Sequence, residues 1–188
     1  MIWLLITQLT LANEHTYPIV LTGGIGKGTA SDGTLGTGLL GHAIFQFNSV
    51  ALDLGYQEFY YPSFQYQEFS SFHNLNGGIF LGARHWILPN GLFIREGLFH
   101  QHETPLDVLQ DRPISSILGA ADGINHRTGL ELACGILQTQ PPSWLPLMGG
   151  VDVNGQYFWD NEQPSWYLNV DITLGLYMGE KASVIQIR

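Results

Sequence analysis

The sequence predicts an all-β protein: an antiparallel up-and-down transmembrane β-barrel of about eight strands. Three observations carry this. First, Trp166–Met178 places Trp166, Leu168, Val170, Ile172, Leu174, Leu176 and Met178 on one face. Tyr167, Asn169, Asp171, Thr173, Gly175 and Tyr177 fall on the other. Strict alternation is the period of a β-strand. The length of the run and its aromatic ends suit a strand with apolar residues toward lipid and small or polar ones toward a lumen. Second, charged residues make up only 12% of the 188, against 23 glycines and 12% aromatics, a balance that favours sheet over long helices. Third, the connections between alternating runs are by turns long and short.

Met1–Ala12 is apolar and ends Thr10-Leu11-Ala12 before a polar stretch. It resembles the end of a secretory signal peptide, although the usual basic start is missing, as in a truncated or mis-started leader, or in a different element such as a first strand. Residues 13–188 would then form a single barrel domain. No run approaches the roughly 20 apolar residues of a transmembrane helix. The net charge of −9 argues against a nucleic-acid partner, which needs a basic face. The single cysteine, Cys134, rules out an internal disulfide framework.

The expected strands follow in order. Ile19–Gly28 puts Ile19, Leu21 and Ile25 opposite Thr22, Gly24, Gly26 and Gly28. Thr34–Phe47 aligns Ala43, Phe45 and Phe47. Val50–Tyr61 opposes Val50, Leu52, Leu54 and Tyr56 to Ala51, Asp53, Gly55 and Gln57. Gly77–Leu88 and Leu92–Glu103 flank Pro89-Asn90-Gly91, the clearest turn in the chain. Ile114–Gly123 is taken as a sixth strand, Arg127–Gln138 as a seventh and Trp166–Met178 as the eighth. Leu147–Trp159 also alternates in part, as an extra strand or an extracellular hairpin would. With the N-terminus in the periplasm, the turns at Asn48, Asn90 and Asn125 are periplasmic and the four long connections lie outside.

In this pattern the chain resembles the small outer-membrane barrels of the OmpA-transmembrane, OmpX and OmpW-like group, over roughly Ile19–Met178. The resemblance implies residence in an outer membrane, contact with outer-membrane lipid or lipopolysaccharide, and insertion by a barrel-assembly machinery. It says little about activity; the leading expectation is a structural or surface-interaction role, with no cofactor and no metal. A fold alone does not give function.

Asp53, Arg84, Arg127, Glu131 and Asp171 fall on the polar face. In a narrow barrel they form a lumen network of ion pairs and hydrogen bonds that plugs the interior. The fifth strand is different. Glu96, His100 and His102 share a face with Leu92, Ile94 and Leu98, so Glu96 and Arg95 cannot both face the lumen without a bulge. An ionisable residue on the lipid face is costly and is a functional candidate. His100 and His102 would lie near the outer leaflet, with Ser115 and Ser116 at the start of the next strand.

A hydroxyl nucleophile, an imidazole base and a carboxylate are the parts of an acyl-ester hydrolase. Set on a barrel's outer wall, Glu96, His100, His102 and Ser115 or Ser116 resemble the site of the PagL-type lipid A deacylases. The nearest match to that family's His-x-Ser pattern is His126-Arg127-Thr128, with Thr for Ser, which this topology puts at the opposite end. A metal site from His100, His102 and Glu103 with Asp107 or Asp111 lacks a ligand signature. A third reading is a secreted lipocalin-like barrel with an apolar ligand inside. In that case Leu168, Val170, Ile172 and Leu174 would point inward.

Overall fold

The computed structural model describes residues 19–47, 50–62, 73–88, 91–138, 147–160, 162 and 164–178. Eight antiparallel strands close into a barrel: β1 (Ile19–Ala30), β2 (Leu35–Phe47), β3 (Val50–Pro62), β4 (His73–Trp86), β5 (Leu92–Pro105), β6 (Asn125–Leu137), β7 (Leu147–Phe158) and β8 (Trp166–Met178). Each strand pairs with the next, and β8 returns to β1, with Ile19 opposite Met178 and Ala30 opposite Tyr167. A closed ring leaves no unpaired edge. Strands of 12 to 14 residues exceed the about 9–11 residues that a tilted strand needs to cross a bilayer.

The phase of every strand puts apolar side chains outside. Leu168, Val170, Ile172 and Leu174 are all exposed, and so are Ile25, Leu39, Leu81, Leu98, Leu132 and Val153. Their odd-numbered neighbours in β8, Tyr167, Asn169, Asp171 and Thr173, are buried. An apolar outer wall around a polar interior is the arrangement of a membrane barrel and the reverse of a lipocalin. The alternative of a soluble carrier is therefore overturned. Tyr157, Trp159 and Trp166 stand exposed toward one rim, where amphipathic rings suit the headgroup level.

Two of the expected elements need correction. Ile114–Gly123 is not a strand. The connection after β5 folds into two short helices, α1 (Leu106–Asp111) and α2 (Pro113–Ile117). Pro113 stands at the first turn of α2, where its missing N–H costs nothing. Ile114, Ile117 and Leu118 follow helical spacing, and Gly119 leaves the helix at φ 68°, a conformation glycine adopts without a Cβ penalty. The eighth strand is recovered from Leu147–Phe158, which pairs with both β6 and β8.

This exchange also reverses the end assigned to Asn125. It is the first residue of β6, beside Glu103 of β5, at the end of the barrel that carries α1 and α2. We call this the loop end and the opposite one, where β1 begins and β8 finishes, the terminal end. The β1–β2 connection at the loop end is a tight turn rather than a long loop, closed by Ala30 N donating to Thr34 O at 2.9 Å with Gly33 at φ 85°. Residues 1–12, Asn48-Ser49, Pro89-Asn90 and the whole stretch between β3 and β4, residues 63–72, lie outside the described residues.

Inside, the barrel is filled in layers. Val20, Ile44, Ala51, Trp86, Phe93, Leu137 and Met148 close the terminal end. Phe59, Tyr61, Phe80, Phe99, Phe158 and Tyr167 pack toward the loop end. Between them lies a belt of charged and amide side chains.

Candidate functional site

The five lumen residues are all interior, four of them in the central belt. Asp53 is fully buried and accepts from Arg84 Nε at 2.8 Å and from His42 Nδ1 at 2.7 Å. Arg95, opposite Arg84 in the β4–β5 ladder, donates to Glu131 at 2.7 Å, and Gln156 donates to the other Glu131 oxygen at 2.9 Å. Asp171 accepts from Asn154, whose own carbonyl accepts from Asn169 at 3.0 Å. The arginines also lie on aromatic faces: the Arg84 guanidinium is 3.9 Å from the Phe93 ring centre and that of Arg95 is 5.1 Å from that of Phe80. The charges of Asp53, Arg84, Arg95 and Glu131 are tolerated because each finds opposite charge and hydrogen bonds, whereas Asp171 is held by the Asn154 amide. The network blocks the lumen rather than lining a channel.

Arg127 forms a separate clamp at the loop end. It donates to both carboxylate oxygens of Asp160 at 2.7 and 2.8 Å, to Glu103 at 3.3 Å and to the Pro164 carbonyl at 2.7 Å. Asp160 lies beyond the strands, and its hydrogen bonds with Arg127 hold its carboxyl below the usual carboxylate range.

The hydrolase candidates separate. Glu96 lies on the outer wall, as its phase demands, with a side chain 51% exposed and 3.4 Å from His85 Nε2. It is opposite Ala83 and Leu132 in the ladders, two same-face positions from His100 with Leu98 between them, so it does not orient that imidazole. Ser115 and Ser116 belong to α2 instead of a neighbouring strand. Ser116 is buried and donates to the Val108 carbonyl at 3.3 Å, a contact within the connection. Neither serine meets His100 or His102.

The hydroxyl beside His100 is that of Thr128, with Oγ1 2.9 Å from His100 Nδ1. His100 Nε2 is in turn 3.3 Å from His126 Nδ1, and the two rings stack at 5.5 Å with an interplanar angle of 20°. With the Thr128 hydroxyl as donor, a single tautomer satisfies the chain: His100 protonated on Nε2, His126 accepting on Nδ1.

Register builds this cluster. Glu58 of β3, Gly77 of β4, His102 of β5 and His126 of β6 are successive cross-strand partners on one outward row. His100 and Thr128 pair one step below. His102 also points outward, yet it is only 4% exposed, because α2 roofs it and the Ile117 carbonyl hydrogen-bonds it. Its Nε2 has no partner. A Cβ on Gly77 would collide with that atom and come to 2.7 Å from Glu58 Oε1, so the glycine is what lets imidazole and carboxylate face each other. Tyr56 donates to Glu58 and lies 3.2 Å from the Ile117 carbonyl, tying the roof down. Thr128, His126 and Glu58 were the residues to find, and the His126-x-Thr128 spacing was the signal. Among the described residues no group of three or more His, Cys, Asp or Glu is arranged to hold a metal ion.

The fold, apolar wall and filled lumen define a small transmembrane β-barrel of the outer-membrane type. Solved structures agree. The chain is similar to Neisserial surface protein A, with a TM-score of 0.57 and 13% identity over 87% of this chain and 97% of that one. It is also similar to Ail, the attachment invasion locus protein of Yersinia pestis, with a TM-score of 0.50 and 10% identity over 86% and 98%. At such identities the likeness is one of fold. No family model matches the chain, and no curated protein matches it in sequence.

Proposed function

We propose that the protein acts as a closed outer-membrane barrel with a structural or surface-interaction role, working through its outer wall and loop end and not as a pore. The observation that supports this is the plugged lumen, with Asp53–Arg84 and Arg95–Glu131 ion pairs sealed between two apolar and aromatic layers. The test is conductance of the refolded full chain in planar bilayers. Silent membranes are expected, and reproducible unitary openings would overturn the reading.

One geometric relation favours a second reading, an acyl-ester hydrolase facing the leaflet at the loop end. Thr128 Oγ1 would attack the acyl carbonyl and pass its proton to His100 Nδ1, while His126 accepts from His100 Nε2. The ester C–O bond would break, the alcohol would leave with the proton, and water would then release the fatty acid and restore Thr128. Thr128 takes the place of Ser115 and Ser116 as nucleophile, and Glu96 has no part. Mass spectrometry of lipid A from cells with and without the protein tests it. Loss of one acyl chain, abolished by Thr128→Ala and His100→Ala with the barrel intact, would support hydrolysis. An unchanged spectrum on expression would remove it.

A further inference from the structure

We propose that the loop end carries a divalent metal site of the zinc type under the α2 roof, with His102 Nε2 and the Glu58 carboxylate as its protein ligands. The two residues face each other across Gly77, their common cross-strand neighbour. Each brings an orphan atom. Glu58 Oε2 and His102 Nε2 are both buried and make no hydrogen bond among the described residues. Leaving buried polar atoms unpaired is costly, and such atoms mark the place of a missing partner.

The tautomer of His102 decides what that partner is. Its Nδ1 lies on the roof side of the ring, where a Cβ on Gly119 would come to 3.1 Å from it. Gly119 is two residues past Ile117, so Nδ1 is the nitrogen that meets the Ile117 carbonyl. A carbonyl only accepts, so Nδ1 carries the proton and Nε2 presents a lone pair. Glu58 is an acceptor as well. Two acceptors aimed at one point repel unless a cation stands between them.

The surroundings are those of metal ligands. A ligating histidine donates its other ring N–H to a carbonyl or carboxylate, and a ligating carboxylate is itself hydrogen-bonded. The Ile117 carbonyl takes the first role here and the Tyr56 hydroxyl the second. That hydroxyl and that carbonyl are 3.2 Å apart, so the outer partners of both ligands meet. Gly77 supplies the room. A Cβ there would collide with Nε2 and come to 2.7 Å from Glu58 Oε1, in the space where coordination bonds of about 2.0–2.2 Å converge.

An imidazole with a carboxylate suits zinc and its first-row neighbours, whereas magnesium and calcium take oxygen ligands. Two protein donors are fewer than a closed structural site has, so the remaining positions are open to water. Thr104, next along the same strand face, has a buried hydroxyl without a partner that suits such a water. His100 and His126 take no part, since they hydrogen-bond each other and Thr128. The site is therefore independent of the hydrolase reading.

The test is calorimetric titration of Zn²⁺ into the folded full chain in detergent, with Mg²⁺ as the comparison. The wild type should take up a single zinc ion and no magnesium at the same concentration. His102→Ala and Glu58→Gln should each weaken uptake about tenfold or more. Gly77→Ala should abolish it by filling the gap, while His100→Ala and Thr128→Ala should leave it unchanged. Heat-modifiable mobility in SDS confirms folding, and His102→Ala decides alone if Gly77→Ala does not fold. Absence of zinc uptake by the wild type would overturn the proposal, as would equal uptake of magnesium. Uptake that survives His102→Ala, or is lost with His100→Ala, would overturn it too.

Discussion

Thr128 and His100 are 28 residues apart in sequence, yet they are direct cross-strand partners on the outer wall, with Oγ1 and Nδ1 2.9 Å apart. The pairing exists only because β5 and β6 are neighbours in this register. A one-residue slip would send every side chain of β6 to the other face. Exchange of His100 for Ala should therefore leave the Thr128 hydroxyl without its partner but leave the ladder unchanged. Both His100→Ala and Thr128→Ala should fold with midpoints within about 0.5 kcal/mol of wild type, as surface changes do, measured by urea titration in lipid vesicles.

The lumen pair Asp53–Arg84 should behave differently. Arg84→Ala leaves a fully buried carboxylate with His42 as its near partner. Loss of about 3–5 kcal/mol is expected for one broken partner of a buried pair. Arg84→Met with Asp53→Asn should cost less than Arg84→Ala alone, because no full charge is then stranded. Equal losses would show that volume, not charge, sets the penalty.

Two glycines offer a contrast in space. A methyl at Gly82 would run into the Glu96 carbonyl and the Phe80 ring and come to 2.8 Å from Gly97 Cα. Gly82→Ala should cost about 1–3 kcal/mol through overpacking. Gly23→Ala, whose new Cβ meets only the Leu40 carbonyl oxygen at 3.9 Å, should stay within about 0.5 kcal/mol of wild type.

Glu96 is a carboxylate on an apolar wall, between Ile94 and Leu98 on its own strand face. Glu96→Leu should raise the unfolding midpoint, since ionisable residues on a lipid-facing wall are destabilising. A lowered midpoint would show instead that the contact with His85 holds β4 and β5 together.

Acid should loosen the loop end first. Asp160 has its carboxyl lowered by Arg127 from the ordinary value of 3.8. A depressed folded-state value contributes stability that is complete above the ordinary carboxylate range and is lost as pH falls through the lowered one. Protection of the β7–β8 connection from hydrogen exchange should fade below about pH 4. Asp160→Asn should remove that acid dependence.

Most of the barrel was legible because alternation is a local signal. Leu168–Met178, Leu130–Ile136 and Leu52–Tyr56 each declare their outward face without reference to any other strand. β7 was harder to read. Gly149 and Gly155 occupy outward positions in it, so the apolar half of its alternation is diluted. Ile114–Gly123 misled in the opposite way, since short apolar runs do not distinguish strand from helix, and Pro113 with Gly119 decided for helix. That one exchange moved Asn125 from one rim to the other and with it His126 and Thr128. His100 and His102 were visible as misfits on an apolar face. His126 and Thr128 were visible as a spacing but not as their partners, because Glu58, Gly77, His102 and His126 meet through cross-strand register, which no single segment contains.

The seam between β1 and β8 joins the two ends of the described chain, from Ile19 beside Met178 to Ala30 beside Tyr167. Seven of the eight pairings link strands that are consecutive in sequence; this one does not. Its closure is the entropically expensive step, the one contact of high sequence separation on which the ring depends. Before it forms, β1 and β8 are both bare edges with rows of unpaired amides, an arrangement that hydrocarbon does not tolerate. Half a barrel is thus not half as stable: the molecule is a hoop, and it holds only when the last joint shuts.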